Sequence, residues 1–140
     1  MAVSLVIMPA LIAGAAIGVY EALLIHRDVR IPTHRFGHTI HASVYAIVAS
    51  FAVFNVDFVY GVFNFLHTWP IIGTALIFRI IIGLITVVKI HGASAAIRGS
   101  IGSSVGLKET WFHSILIGAL VVAAPYVWPF ISPLLPVWMR

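Results

Sequence analysis

Four long apolar runs make up most of this chain, and its positive charges collect in two of the gaps between them. A membrane-spanning helix needs about 20 mainly apolar residues. The runs at 3–25, 40–66, 70–90 and 110–131 all reach that length. We therefore expect an all-α, polytopic integral membrane protein in which four transmembrane helices form one antiparallel up-down bundle.

The composition excludes an ordinary soluble domain. The chain is 61% hydrophobic and 9% charged, whereas soluble domains are about 25% charged. It has no cysteine, which excludes disulfides, thiolate metal sites and cysteine nucleophiles. The formal charge of +4 is explained by cationic residues that flank membrane spans and meet anionic headgroups. We expect the lipid bilayer as a partner, and no nucleic acid.

The distribution of basic residues predicts an orientation. Arginine and lysine occupy the gaps at 27–39 and 91–109, whereas the short connection at 67–69 has neither. Loops rich in lysine and arginine stay on the cytoplasmic side. The sequence therefore predicts that both gaps are cytoplasmic loops, that both termini lie outside, and that the membrane is the cell membrane.

Two opposite charges fall inside the predicted spans. Asp57 lies nine residues before Leu66, and Arg79 lies nine residues after Pro70. In an antiparallel hairpin, both would lie about 13 Å from the outer end at 1.5 Å per residue. A lone charge at the bilayer centre costs roughly 2.5–3.5 kcal/mol. The sequence predicts an intramembrane Asp57–Arg79 ion pair, which either fixes helix register or serves as a gate or ion relay.

Small and polar residues form seams on three of the predicted helices. Such seams allow close approach between membrane helices, and hydroxyl groups bond across them. In the second run the seam recurs with a seven-residue spacing, and in the first it is a small-x-x-x-small pair. The predicted packing residues are Gly14, Gly18, Ser43, Ser50, Gly61, Asn64, Gly83 and Thr86.

Histidines concentrate in the predicted cytoplasmic half and suggest a metal site. His34, His38 and His41 share one face if their segment is helical. Imidazoles one turn apart can bind zinc, copper or iron, and a carboxylate can complete the shell. Two axial histidines from facing helices would suffice for haem. The alternative is that these side chains lie at the headgroup interface. The candidate ligands are His34, His38, His41, His91, His113 and Glu21.

Three function classes follow, and no catalytic residue is predicted. The chain is interpreted first as a small structural or accessory subunit that packs against itself or against other subunits of a larger membrane assembly. The second class is a metal- or haem-dependent membrane oxidoreductase, or a subunit of one. The third is an oligomeric channel or ion-coupled transporter that uses Asp57 and Arg79. Because little of the chain lies outside the predicted spans, the first class is favoured.

Overall fold

The computed structural model describes residues 4–28, 32–101 and 111–140, except for the side chains of 27–28, 32–35, 38, 67 and 93–101. Within these residues the fold is all-helical, without strands. In chain order the helices are α1 (Ile7–Asp28), α2 (Pro32–Phe54), α3 (Val56–Val62), α4 (Asn64–Thr68), α5 (Ala75–Ile101) and α6 (Trp111–Ile131), followed by 3₁₀ turns at Ser132–Leu134 and Val137–Met139.

The four long helices pack side by side and form one core. Helix α1 lies along α2, and α5 lies along α6; α2 also contacts α5 and α6, and α1 contacts α6. Contacts between α1 and α2 are antiparallel, because Val6 meets Asn55 while Gly18 meets Ser43. The core consists of aliphatic side chains from all four helices: Ile17, Ile25, Ala42, Ala46, Ala49, Val53, Ile90, Ile117 and Val121.

The long helices are apolar on their outward faces as well as in the core. Val19, Leu23, Val48, Leu84 and Phe130 all point outwards. Helices that are apolar all round are typical of a membrane environment. Among the described residues, three segments are long and apolar enough to cross a membrane, namely Ile7–His26, Ala75–Gly92 and Trp111–Leu134. These helices suggest membrane association.

The second predicted span is broken rather than continuous. The run at 40–66 is divided at Asn55, and the segments Thr39–Phe54 and Val56–Val62 meet at 90°. The number of candidate spans is three, or four if this bent pair is one span. The physical reason is local: the Asn55 side chain bonds to the backbone, as asparagine does where it competes with a continuous helix.

Other helix bounds also differ from the expected ones. Helix α5 begins at Ala75, not near residue 70, because residues 69–73 form a turn in which Gly73 N–H donates to the Trp69 carbonyl. The expected loops at 27–39 and 91–109 are partly helical, since α2 begins at Pro32 and α5 continues to Ile101. Proline fits the first turn of a helix, where its missing N–H is not needed. The fourth run agrees closely with α6.

Candidate functional site

A buried carboxylate–imidazole pair joins α1 to α6. Glu21 Oε2 lies 2.6 Å from His113 Nε2, and the two side chains are 0% and 4% exposed. Glu21 lies in the last third of α1 and His113 in the first turn of α6. Because the two helices are antiparallel, these positions lie at the same end of the core. This end is the one that the charge distribution predicts to be cytoplasmic.

One proton is sufficient to hold the pair together. Either a protonated imidazole donates to the carboxylate, or the carboxyl group donates to the neutral ring. Both arrangements keep the pair neutral overall, which matters because an unpaired buried charge is costly. The other carboxylate oxygen, Glu21 Oε1, is buried and has no hydrogen-bond partner in the described part of the chain. The pair can therefore hold a proton and leaves one acceptor unused.

His41 and His91 each contact an aromatic ring. His41 is exposed, and its ring packs on Tyr45 with 4.7 Å between centroids. His91 stacks on Trp111 at 3.7 Å with an 18° angle between the rings. The side chains of His34 and His38 lie outside the described residues. Among the described residues, no three histidine, aspartate or glutamate side chains come together as a metal-ligand group.

The opposite end of the core is organised by Asn55, at the break between α2 and α3. Its side chain is 5% exposed. Its Oδ1 accepts a hydrogen bond from the Val6 N–H at 2.7 Å, and its Nδ2 donates to the carbonyls of Val6 at 3.1 Å and Phe51 at 2.9 Å. Backbone groups released at helix ends need such partners, above all away from water. Asn55 thus closes the end of α2 and holds the start of α1.

Arg79 bonds to the backbone at the same helix break and does not form an ion pair with Asp57. Its Nε donates to the Val53 carbonyl at 2.9 Å, and one terminal nitrogen donates to the Tyr126 hydroxyl at 3.0 Å. The guanidinium also lies 5.0 Å from the centre of the Tyr126 ring, a cation–π distance. Among the described residues, no ion pair within 4.0 Å joins Arg79 to a carboxylate.

The expected ion pair required a straight helix through Asn55 and a helix that begins near Pro70, and neither condition is met. The 90° bend directs the segment of Asp57 away from the axis of α2. Arg79 is only the fifth residue of α5, so it lies near a helix end and not near the middle of a span. Asp57 is exposed and lines an open pocket with Tyr60, Gly61 and Asn64.

The predicted packing residues on α1 and α2 contact each other closely. Gly14 and Gly18 face α2 closely: a Cβ on Gly14 would lie 2.6 Å from the Ile47 Cα, and one on Gly18 would lie 3.1 Å from the Ser43 Cα. Ser43 donates to the Gly18 carbonyl at 3.4 Å, and Ser50 is buried against Gly14.

On the other helices, some of the predicted packing residues are buried or contact a neighbouring helix, and others are exposed. Gly83 lies against Gly118 of α6, whose carbonyl would be 3.0 Å from an added Cβ. Thr86 is buried and donates to the Ile82 carbonyl in its own helix. Gly61 and Asn64 are exposed, and a Cβ on Gly61 would meet nothing within 4 Å.

Three residues of these contacts were not assigned a role from the sequence. Gly118 was detectable, because Ser114 and Gly118 repeat the small-x-x-x-small spacing. Asn55 is a polar residue inside an apolar run, but nothing in its spacing indicates which backbone groups it bonds. Tyr126 has no sequence signal, because its contact with Arg79 depends on how α5 and α6 pack.

Two groups of polar side chains thus lie at opposite ends of the four-helix core. The Glu21–His113 pair can hold a proton, while the Asn55–Arg79–Tyr126 cluster bonds to backbone carbonyls and an N–H. Comparison with known protein families, with curated proteins and with solved structures gives no match to this chain.

Proposed function

We propose that the chain is a small four-span membrane protein that acts as a structural or accessory subunit of a larger assembly. In this proposal the bent α2–α3 segment counts as one span. Both termini lie outside the cell membrane, and the connections at 27–39 and 91–109 are cytoplasmic, as the positive-inside rule requires.

The observation that supports an accessory role is that the strongest polar contacts among the described residues join parts of this chain to one another. Asn55 and Arg79 bond to the backbone at the α2 break, and Glu21 bonds to His113. Polar residues in membrane helices often mark substrate or ion pathways. Here these groups connect helices to one another, and the outward faces present apolar side chains to lipid or to neighbouring subunits.

The accessory role is tested by native mass spectrometry of the protein extracted gently from its own membrane. We expect a hetero-complex of fixed stoichiometry, without metal or haem on this chain. Deleting the chain should also lower the abundance of its partner, as expected when a subunit stabilises a complex. A monomer or homo-oligomer that carries metal or haem would contradict the proposal.

The orientation is tested by cysteine labelling. Only the introduced cysteine can react, because the chain has no native cysteine. Leu134 is 84% exposed, so Leu134→Cys should react with a membrane-impermeant maleimide on intact cells. Lys108→Cys should react only after lysis. The reverse pattern would contradict the proposed orientation.

A second candidate function is ion-coupled transport, and the Glu21–His113 pair favours it. An ionisable pair buried between membrane helices can bind a proton, and Glu21 Oε1 has no hydrogen-bond partner among the described residues. This candidate predicts proton flux in liposomes that Glu21→Gln abolishes and Asp57→Asn does not. Equal flux in empty liposomes and in liposomes with the wild-type protein would exclude it.

A further inference from the structure

A groove between α2 and α5 combines basic and apolar groups at the predicted cytoplasmic end of the core. Its volume is about 410 Å³, and its lining comprises His41, Tyr45, Val88, Lys89 and Gly92. His41 lies two residues inside the apolar segment that begins at Thr39, and Lys89 lies three residues before the end of the segment at Gly92. Both side chains therefore lie near the predicted inner interface.

The polar groups of this groove are available to a ligand. His41 and Lys89 are exposed, and Tyr45 is half-buried. Neither His41 nor Lys89 has a carboxylate partner among the described residues. The ammonium group of Lys89 carries three N–H donors, an imidazole N–H is present in either protonation state, and the Tyr45 hydroxyl can also donate. This is a set of donors suited to an anion with several oxygens.

The shape of the groove is suited to a lipid. An added Cβ on Gly92 would meet nothing within 4 Å, so the space beside the basic groups is open. Towards the middle of the helices, the adjoining outward faces carry only apolar side chains: Val44, Val48, Leu84, Ile85 and Val88 are all exposed. A headgroup at Lys89 would therefore have acyl chains running along α2 and α5.

We propose that this groove binds the phosphate of an anionic phospholipid of the inner leaflet, with Lys89 and His41 as the main contacts and Tyr45 as a further donor. Basic pockets between membrane helices on the cytoplasmic side are suited to anionic headgroups. The proposal rests on the proposed membrane insertion and orientation, but not on the accessory role, because the groove lies entirely within this chain.

The test is native mass spectrometry of the full chain from nanodiscs that contain equal amounts of phosphatidylglycerol and phosphatidylcholine. We expect retained phosphatidylglycerol to exceed phosphatidylcholine, and Lys89→Gln to lower its retention about fivefold. Lys89→Arg should keep most of the retention. His41→Gln is an independent second variant and should lower it in the same direction. Arg140→Gln is the matched control, because Arg140 bonds to the carbonyls of Leu135 and Pro133 at the other end of the core.

Three results would overturn the lipid proposal: equal retention of both lipids, an equal loss in Arg140→Gln, or displacement of the lipid by inorganic phosphate at millimolar concentration. The last would indicate a site for free phosphate instead. Failure of membrane insertion would show separately, as release of the wild-type protein from membranes by alkaline carbonate.

Discussion

Polar side chains at the two ends of the helix core have different kinds of hydrogen-bond partner. At the end formed by Asn55, Arg79 and Tyr126, Asn55 and Arg79 donate to backbone carbonyls in the last turn of α2, beside the helix break. At the other end, Glu21 and His113 bond to each other between two unbroken helices. The first arrangement compensates for a local break in the backbone, whereas the second depends on charge neutrality between two side chains. Substitutions should therefore behave differently at the two ends.

The largest effect is expected from breaking the buried pair. His113→Leu leaves the Glu21 carboxylate buried without its partner, which should cost about 3–5 kcal/mol in the free energy of unfolding. Replacing both residues, as in Glu21→Met with His113→Leu, should cost far less, since apolar side chains of similar volume often replace a buried pair with little loss. Denaturant titration in detergent micelles measures both. A double variant as unstable as the single one would contradict the mutual pairing.

The next largest change in the free energy of unfolding is expected where α1 contacts α2 closely. Gly14→Ala places a methyl group against the Ile47 backbone, and overpacking of this kind costs about 1–3 kcal/mol. Gly92→Ala is the control, because its Cβ meets nothing and alanine stabilises a helix interior by about 0.5–1 kcal/mol relative to glycine. The same titration should give shifts of opposite sign. Destabilisation of equal size at both positions would contradict the proposed contact.

A comparable loss is expected at the broken helix. Asn55→Ala removes three hydrogen bonds, two of them to the Val6 backbone, and each bond contributes about 0.5–1.5 kcal/mol. Asn64→Ala is the matched control; Asn64 is exposed, so its replacement should change stability by less than about 0.5 kcal/mol. Hydrogen exchange at Val6 should rise in Asn55→Ala alone. Unchanged exchange there would show that Asn55 does not hold the start of α1.

The smallest effect is expected between Asp57 and Arg79. A double-mutant cycle with Asp57→Asn and Arg79→Gln should give a coupling energy below about 0.5 kcal/mol, because no ion pair within 4.0 Å joins the two residues in the described part of the chain. Arg79→Gln alone should be the more damaging single change, since Arg79 donates to Val53 and Tyr126. A coupling energy above about 1 kcal/mol would indicate that the ion pair expected from the sequence does form.

The long helices could be predicted because apolar length is a direct sequence signal. The fourth run coincides with α6 to within one residue. Gly14 and Gly18 lie in close contacts with α2, and their spacing indicates such a contact without reference to the partner helix. In each case the signal is contained within one helix.

The polar contacts could not be predicted in the same way, because they depend on pairs of helices. Equal distances from a turn placed Asp57 opposite Arg79, but that argument needs a straight helix through Asn55 and a helix start near Pro70. The pairing of Glu21 with His113 joins residues 92 positions apart. Both residues were named as candidate metal ligands, and only the packing of α1 on α6 shows that they contact each other.

We propose that the buried pair of Glu21 and His113 holds α1 and α6 together and does not act on a substrate or ion. The most direct test is native mass spectrometry of the Glu21→Met/His113→Leu double variant, extracted from its own membrane beside the wild type. The account predicts that the double variant retains the same partner complex with the same stoichiometry. Two results would identify Glu21 and His113 as a functional site and contradict this proposal. In the first, the double variant folds but does not assemble with its partner. In the second, it assembles into a complex that lacks the activity of the wild-type complex.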